Sequence, residues 1–418
     1  MVGINLSVNS EVGELEAVIV HKPGLEIENM TPENAERSLY SDILNRSIAM
    51  KEHNQLNQVL SKICKVFDVQ DLLCDILKND AIKKTILHDV TENEFASKEV
   101  FQELDRDTPG EISRKLFEGV VMEKSSLTSF LNKDRYSLKP LHNFFFTRDA
   151  SMTVFDSVLI GKMANKVRER ESIIMKAIFD YHPNFSTSTI DLENTETSDK
   201  IMIEGGDVIV ASENIILIGM GVRTNSEAID AFAKRICSKS PEKEIHIIIQ
   251  ELPAERESFI HLDMVFTFID VDKCMIYDPV IYSHSKLQTV HMKLSGGKIS
   301  KIEYRNNLIE ALSMVGMDVE PLYCGGREDL WMKKREQWHS GANFFAVAPG
   351  KIIGYDRNIH TIEELEKHGF TALKAKDVIS GKSSLKEHEK CVITIHGSEL
   401  SRGGGGCRCM TMPVRRKT

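Results

Sequence analysis

The chain has 418 residues, 41% of them hydrophobic, and a formal net charge of −9. That length fits one large domain with an insertion, or two to three ordinary domains. The acidic balance argues against nucleic acid as a main partner, because phosphate contacts need clustered Lys and Arg. The eight cysteines, at positions 64, 74, 237, 274, 324, 391, 407 and 409, are scattered rather than dense as in a small secreted disulfide scaffold. No apolar run approaches the roughly 20 residues of a membrane helix. The start, Met1-Val2-Gly3-Ile4-Asn5, lacks the charged and apolar regions of a signal peptide. A soluble, cytoplasmic, thiol-bearing protein with no membrane partner is the expectation.

In chain order, Leu15 to His21 is apolar and β-branched and reads as a strand, ended by Lys22-Pro23-Gly24. Thr31-Pro32 reads as an N-cap followed by a first-turn proline. A helix with Leu56, Val59, Leu60, Ile63 and Phe67 on one face follows. Between Asp71 and Lys133 apolar residues recur at helical spacing in short runs, with a polar break at Asp107-Thr108-Pro109-Gly110. This reads as a small helical bundle inserted over residues 71–133, with residues 1–70 and 134–418 forming the main body.

An internal repeat occupies that body. Asn143 to Asp149, Glu204-Gly205-Gly206-Asp207, His261-Leu262-Asp263 and Gly341-Ala342-Asn343 each precede a strand, a tight turn and a second strand. Helices separate the units: Arg168 to Tyr181, Ser226 to Ser238, Asn307 to Val315, and one opened by a capping box at Thr361-Ile362-Glu363-Glu364 and ended at Gly369. Because the polar signature always stands at the same end, a radial arrangement is expected, with each unit contributing to one central site.

The last stretch, Ser401 to Thr418, places four glycines before Cys407-Arg408-Cys409. By itself it reads as a frayed tail with a solvated basic end at Arg415-Arg416-Lys417, or as a loop that folds over a substrate and carries a thiol to it. In an extended chain, Cys407 and Cys409 would point to the same side. The signatures supply Asp149, Glu204, Asp207, His261 and Asp263. One histidine among carboxylates is weak evidence for a metal, and Cys-x-Cys is the wrong spacing for a zinc knuckle. Carboxylates disfavour a nearby thiolate, unless the substrate is itself a cation. A guanidinium matches paired carboxylates by bidentate hydrogen bonds and would restore the thiolate. The thiolate could then attack the guanidinium carbon while His261 protonates the departing amine.

The motifs Phe146-Thr147-Arg148-Asp149, Glu204-Gly205-Gly206-Asp207, His261-Leu262-Asp263-Met264 and Cys407 to Pro413 resemble those of arginine deiminases, in the same order and across essentially the whole chain. The resemblance implies an α/β fold, a five-bladed pseudo-symmetric α/β-propeller with an inserted small helical bundle. It implies hydrolysis of L-arginine to L-citrulline and ammonia through a covalent amidino-cysteine, with no metal and no organic cofactor. It implies Cys409 as nucleophile, His261 as general acid/base with Glu204 as its partner, and Asp149 and Asp263 as the guanidinium pair. Arg168 and Arg223 would bind the substrate carboxylate, with Asn143 and Phe146 lining that pocket. Taken alone, Arg168-Glu169-Arg170-Glu171 reads as a solvated, salt-bridged helix start, and Asp207 as either a site residue or a turn former. Cys64, Cys237 and Cys274 read as buried thiols. Two positions depart from the family: Gly404 stands where many relatives have an arginine, leaving Arg402 as a possible substitute, and Leu39-Tyr40-Ser41-Asp42 differs near the N-terminus. A homo-oligomer, dimer or tetramer, is expected. The alternatives are an agmatine deiminase or amidinotransferase, against which the paired arginines argue, and a silent homologue acting as an interaction protein, against which the complete Cys, His and carboxylate set argues.

Overall fold

A computed structural model describes residues 3–31, 42–94, 98–192, 201–254, 257–282 and 287–417. The Thr31-Pro32 helix start, at Pro32, and the departure at 39–41 lie outside these residues. The fold is α/β. Among the described residues five sheets repeat one strand pattern, an antiparallel pair of strands of which one also pairs with a parallel third, and in four of them the antiparallel pair is a hairpin. The hairpins are Ser151–Val154 with Ser157–Ile160, Val208–Ser212 with Ile215–Met220, Phe266–Asp270 with Lys273–Ile276, and Phe345–Ala348 with Lys351–Tyr355. Their parallel partners are Ser188–Ile190, Ile245–Glu251, Glu320–Tyr323 and Cys391–Ile395.

The fifth sheet is built from both ends of the chain. Met412–Arg416 pairs antiparallel with Leu15–Val20, which pairs in parallel with Lys65–Asp68. The same strand pattern therefore occurs a fifth time, although only four of its units are contiguous in sequence. The basic end is not a solvated tail. Arg416 is buried and donates to the carbonyls of Gly13 (2.7 Å) and Ala346 (2.8 Å). Strand residues are buried on both faces, as parallel pairing under covering helices requires.

Several expectations change at this level. Phe67 belongs to the strand Lys65–Asp68, because the helix Arg46–Ile63 ends at the extended Cys64. The break at Asp107-Thr108 stands between the helices Lys98–Arg106 and Pro109–Glu118, and Thr108 is also the N-cap of the second, with a reciprocal Glu111 capping box. Thr361 is not a cap: its helix, Ile359–Lys367, starts two residues earlier, and its hydroxyl donates to Glu336 at 2.6 Å. The long hairpin Thr289–Ser295 with Lys298–Arg305 extends the second sheet, a feature the sequence reading missed. Cys237 and Cys274 are buried, while Cys64 is only half-buried.

The helices Val69–Ile76, Asp80–Asn93, Lys98–Arg106 and Pro109–Glu118 occupy the expected helical region. They do not close on themselves. Leu73, Leu87, Leu104 and Leu116 share one apolar cluster with Ile174 and Ile178 of the helix Glu169–Tyr181 and with Met412 of the terminal strand. Among the described residues no helix is long and apolar enough to cross a membrane.

A shared core predicts shared unfolding. Leu116→Ala, at a fully buried position, should cost about 2–5 kcal/mol and lower the midpoint of a single cooperative transition in calorimetry. A separate early transition, with the rest of the molecule unaffected, would show an independent helical unit instead.

Candidate active site

The five polar signatures are joined by a closed circuit of hydrogen bonds. The N–H of Gly205 donates to the carbonyl of Asp149 at 3.0 Å. The N–H of Leu262 donates to Oδ1 of Asp207 at 2.9 Å. Nδ2 of Asn343 donates to the carbonyl of Asp263 at 2.9 Å, and the N–H of Arg408 donates to Oδ1 of Asn343 at 2.9 Å. The N–H of Arg148 then donates to the carbonyl of Cys409 at 3.0 Å, closing the circuit on the first signature. Short 3₁₀ turns at Gly205–Asp207 and Leu262–Met264 aim the side chains inward. Gly206 is required where it stands, because a Cβ there would lie 2.5 Å from Nδ1 of His261.

All nine residues singled out from the sequence come together. Asn143, Phe146, Asp149, Arg168, Arg223, His261 and Cys409 line one cavity of about 30 Å³, together with Ile260 and Gly403 to Gly405. Glu204 and Asp263 join it through their neighbours. Nε2 of His261 lies 3.0 Å from Oε2 of Glu204, and Nδ1 lies 3.6 Å from Oδ1 of Asp149. The Cys409 thiol lies 3.7 Å from Oδ2 of Asp263 and accepts from Nδ2 of Asn343 at 3.3 Å. Oδ1 of Asp149 is buried and accepts no hydrogen bond.

Charge explains the titration behaviour. Burial opposes the imidazolium of His261, but the carboxylates of Asp149, Glu204 and Asp207 outweigh it and raise the ring to about 9. Burial likewise opposes ionised Glu204, yet His261, Arg223 and Arg168 hold it down at about 2. Burial pushes the Cys409 thiol far above its ordinary range, and Asp263 and Asp149 push it further. Asp149, Glu204 and His261 lie close enough together to hold a metal ion. The same carboxylates already face Arg168 and a cationic His261, which leaves little charge for a metal.

Arg168 is not solvated. It is 4% exposed, and Nε and Nη2 grip Glu171 while Nη1 donates to Asp149 at 2.8 Å. Arg170 and Glu171 are buried too, so the charged helix start is an interior network. Arg223 lines the cavity and meets Oε1 of Glu204 at 3.5 Å. The two tail cysteines part company because residues 407–410 form turns, with the N–H of Thr411 bonded to the carbonyl of Arg408, rather than an extended strand. Cys407 faces an apolar cluster, and Cys409 faces the carboxylates. Asp207 lies off the cavity, between Leu262 and the hydroxyl of Thr224 (2.6 Å). Arg402 is held by Asp42 and Glu399, outside the cavity. Gly404 takes φ +80, a backbone that an arginine at this position would adopt only with strain.

Sequence reasoning missed Asn343, Arg408 and Glu11. Asn343 fixes both the thiol and the backbone of Arg408. The guanidinium of Arg408 is shared between Glu11 (3.0 Å) and Oδ2 of Asp263 (2.9 Å). Asn343 stands in the fourth signature at the register of Asp263, which was a usable signal, whereas nothing in the sequence marks Glu11.

Known proteins share this chain's sequence and fold. Over 430 residues, 99% of this chain and 98% of the relative, the sequence is 33% identical to an arginine deiminase of Bacillus thuringiensis subsp. konkukian. It is 32% identical over 427 residues, 99% and 97% of the two chains, to one of Oenococcus oeni. Among solved structures, the N-terminal domain of ArgZ, described as an arginine dihydrolase from cyanobacteria, superposes with a TM-score of 0.52 at 12% identity, covering 96% of this chain and 98% of that one. The amidinotransferase SxtG of Microseira wollei gives 0.52 at 12% identity, covering 99% and 98%. These two likenesses speak for a common α/β fold. With a family model described as arginine deiminase matching residues 37–416 and whole-length relatives a third identical, the chain belongs to the arginine deiminase family.

Proposed function

We propose that this protein is an arginine deiminase, hydrolysing L-arginine to L-citrulline and ammonia. The observation that carries the reading is a buried thiol facing two buried carboxylates, one of which has an oxygen without a hydrogen bond. A planar cation with several N–H donors satisfies that arrangement, and a neutral or anionic substrate does not. The names of the relatives support the same substrate.

The guanidinium enters between Asp149 and Asp263 and cancels the field that, on top of burial, keeps Cys409 protonated. The thiol proton leaves to solvent, and the thiolate attacks Cζ. The leaving nitrogen takes a proton from His261 and departs as ammonia, giving the amidino-cysteine. His261, now neutral and oriented by Glu204, accepts a proton from the attacking water. The tetrahedral adduct collapses to citrulline as its C–S bond breaks, and the proton lost from its hydroxyl returns to the expelled sulfur. Arg223 binds the substrate carboxylate, with Arg168 beside it and Asn143 and Phe146 shaping the pocket. A cavity of about 30 Å³ holds about two waters, so the glycine loop opens to admit the substrate. No metal or organic cofactor enters this scheme.

The five like sheets and the hydrogen-bond circuit support the arrangement as a five-bladed α/β-propeller formed by residues 1–70 and 134–418, with 71–133 as an inserted helical domain.

Cys409→Ser should abolish turnover while arginine binding stays measurable by calorimetry, and Cys407→Ser should keep most activity. Acid-quenched mass spectrometry should find an amidino adduct in Cys407→Ser and none in Cys409→Ser. The reverse pattern would reassign the nucleophile.

Agmatine lacks the carboxylate, so its kcat/KM should fall at least tenfold below that of arginine. The loss of a buried charge partner is worth about 2–5 kcal/mol, and Arg168 keeps its other partners. Equal values would reject the role of Arg223.

The His261–Glu204 pair also sets a pH window for stability. A histidine raised to about 9 contributes stability that is complete below its ordinary 6.5 and lost as pH rises through 9. A glutamate lowered to about 2 contributes stability that is present above its ordinary 4.5 and lost as pH falls through 2. The Tm deficit of Glu204→Gln should therefore be largest between pH 4.5 and 6.5 and shrink as pH rises through 9. A deficit that is constant across this range would show that the pair carries no such coupling.

A further inference from the structure

Residues 396–406 carry the chain from the strand Cys391–Ile395 to the nucleophile without joining any sheet. Their first part is nevertheless held from two sides. Glu52, 3% exposed in the helix Arg46–Ile63, accepts from the N–H groups of Ser398 (2.9 Å), Glu399 (3.0 Å) and Leu400 (2.9 Å), and from the Ser398 hydroxyl. From the other side, Nη1 of Arg357 donates to the carbonyls of Gly397 (3.1 Å) and Ser398 (3.2 Å) and to Oγ of Ser401 (2.6 Å). A buried carboxylate is costly unless it is fully hydrogen-bonded, and here it collects the successive backbone donors of one turn. Neither side chain lines the catalytic cavity, and the proposed chemistry uses neither.

Beyond this clamp come the 3₁₀ turn Leu400–Gly403 and then Gly403 to Gly405, which do line the cavity. The far end is fixed as well, by Asn343 on the backbone and thiol of residues 408–409 and by the Tyr355 hydroxyl donating to the carbonyl of Gly405 at 3.0 Å. Two anchored stretches thus flank a short run of glycines.

We propose that Glu52 and Arg357 are positioning residues for the reaction. They clamp the base of the glycine loop so that only the stretch between the two anchors, Gly403 and Gly404, moves as substrate enters, and the loop closes back to one geometry over the guanidinium. The inference rests on the arginine deiminase reading. It assigns a role in substrate closure to a helix residue 346 positions before Ser398 in the chain.

Three variants of the full chain test it: Arg357→Ala, Glu52→Gln and Glu52→Asp. Steady-state kinetics with L-arginine, Tm and hydrogen exchange by mass spectrometry are read on each. Ångström-scale misplacement of substrate-positioning groups can cost up to about 100-fold, and loosening the loop base should raise KM about tenfold with a smaller change in kcat. Exchange should rise in peptides covering 397–406 and not elsewhere, and Glu52→Asp, which keeps the charge, should recover part of the loss. Arg357 is only partly buried, so its variant keeps the test open if Glu52→Gln does not fold. An unchanged KM in Arg357→Ala, or activity loss that tracks a general fall in Tm with exchange raised throughout, overturns the clamp. If the wild-type chain does not turn over arginine, the proposed function fails, and the exchange measurements alone decide whether the clamp exists.

Discussion

The hydrogen-bond circuit through Asp149, Gly205, Asp207, Leu262, Asp263, Asn343, Arg408, Cys409 and Arg148 is the constraint on which the site depends. Each bond joins the polar signature of one sheet to that of the next, and each is buried away from competing water, where an unmade bond is expensive. The side chains that meet the cavity sit on the same short turns that make these bonds. Their spacing therefore follows from backbone pairing and is not left to flexible loops. Cys409 lies just before the terminal strand Met412–Arg416, whose pairing with Leu15–Val20 belongs to the fifth sheet.

Charge is the second constraint. Asp149, Glu171, Glu204 and Asp263 are all buried, and burying carboxylates without cations is strongly unfavourable. Arg168, Arg408 and the imidazolium of His261 supply the compensation. It is uneven: Oδ2 of Asp263 is engaged by Arg408 and Oδ2 of Asp149 by Arg168, while Oδ1 of Asp149 accepts nothing. Burial first, and the negative field of Asp263 and Asp149 added to it, keep the Cys409 thiol protonated. In the proposed reaction an arriving guanidinium changes that balance, so that the thiolate forms only with the right substrate bound.

The helical region and the glycine loop show how distant segments serve this centre. The short helices before residue 120 bury their apolar faces on the helix Glu169–Tyr181, whose first residues belong to the Arg168–Glu171 network. The helix Arg46–Ile63 reaches the loop through Glu52. Neither connection leaves a mark in local sequence, because both pair residues far apart along the chain.

The sequence by itself determined the repeat, the polar signature at one end of each unit, and hence Asp149, Glu204, Asp207, His261 and Asp263 as one set with a tail cysteine, which the motif resemblance fixed as Cys409. Alternation of apolar strands with tight turns is a local property, written in consecutive residues. The sequence also carried the motif resemblance that singled out Arg168, Arg223, Asn143 and Phe146. Only the tertiary structure decided that the two termini build the fifth sheet, that residues 407–410 turn so that Cys407 enters the core while Cys409 faces the acids, and that Arg168 to Glu171 is interior rather than solvated. It also decided that Asp207 joins two signatures and that Asn343, Arg408 and Glu11 complete the surroundings of the thiol. Each of these depends on burial and on partners that only the fold brings together, and the free energy of a buried charge or an inward-turned thiol is fixed by what surrounds it rather than by its neighbours in the chain.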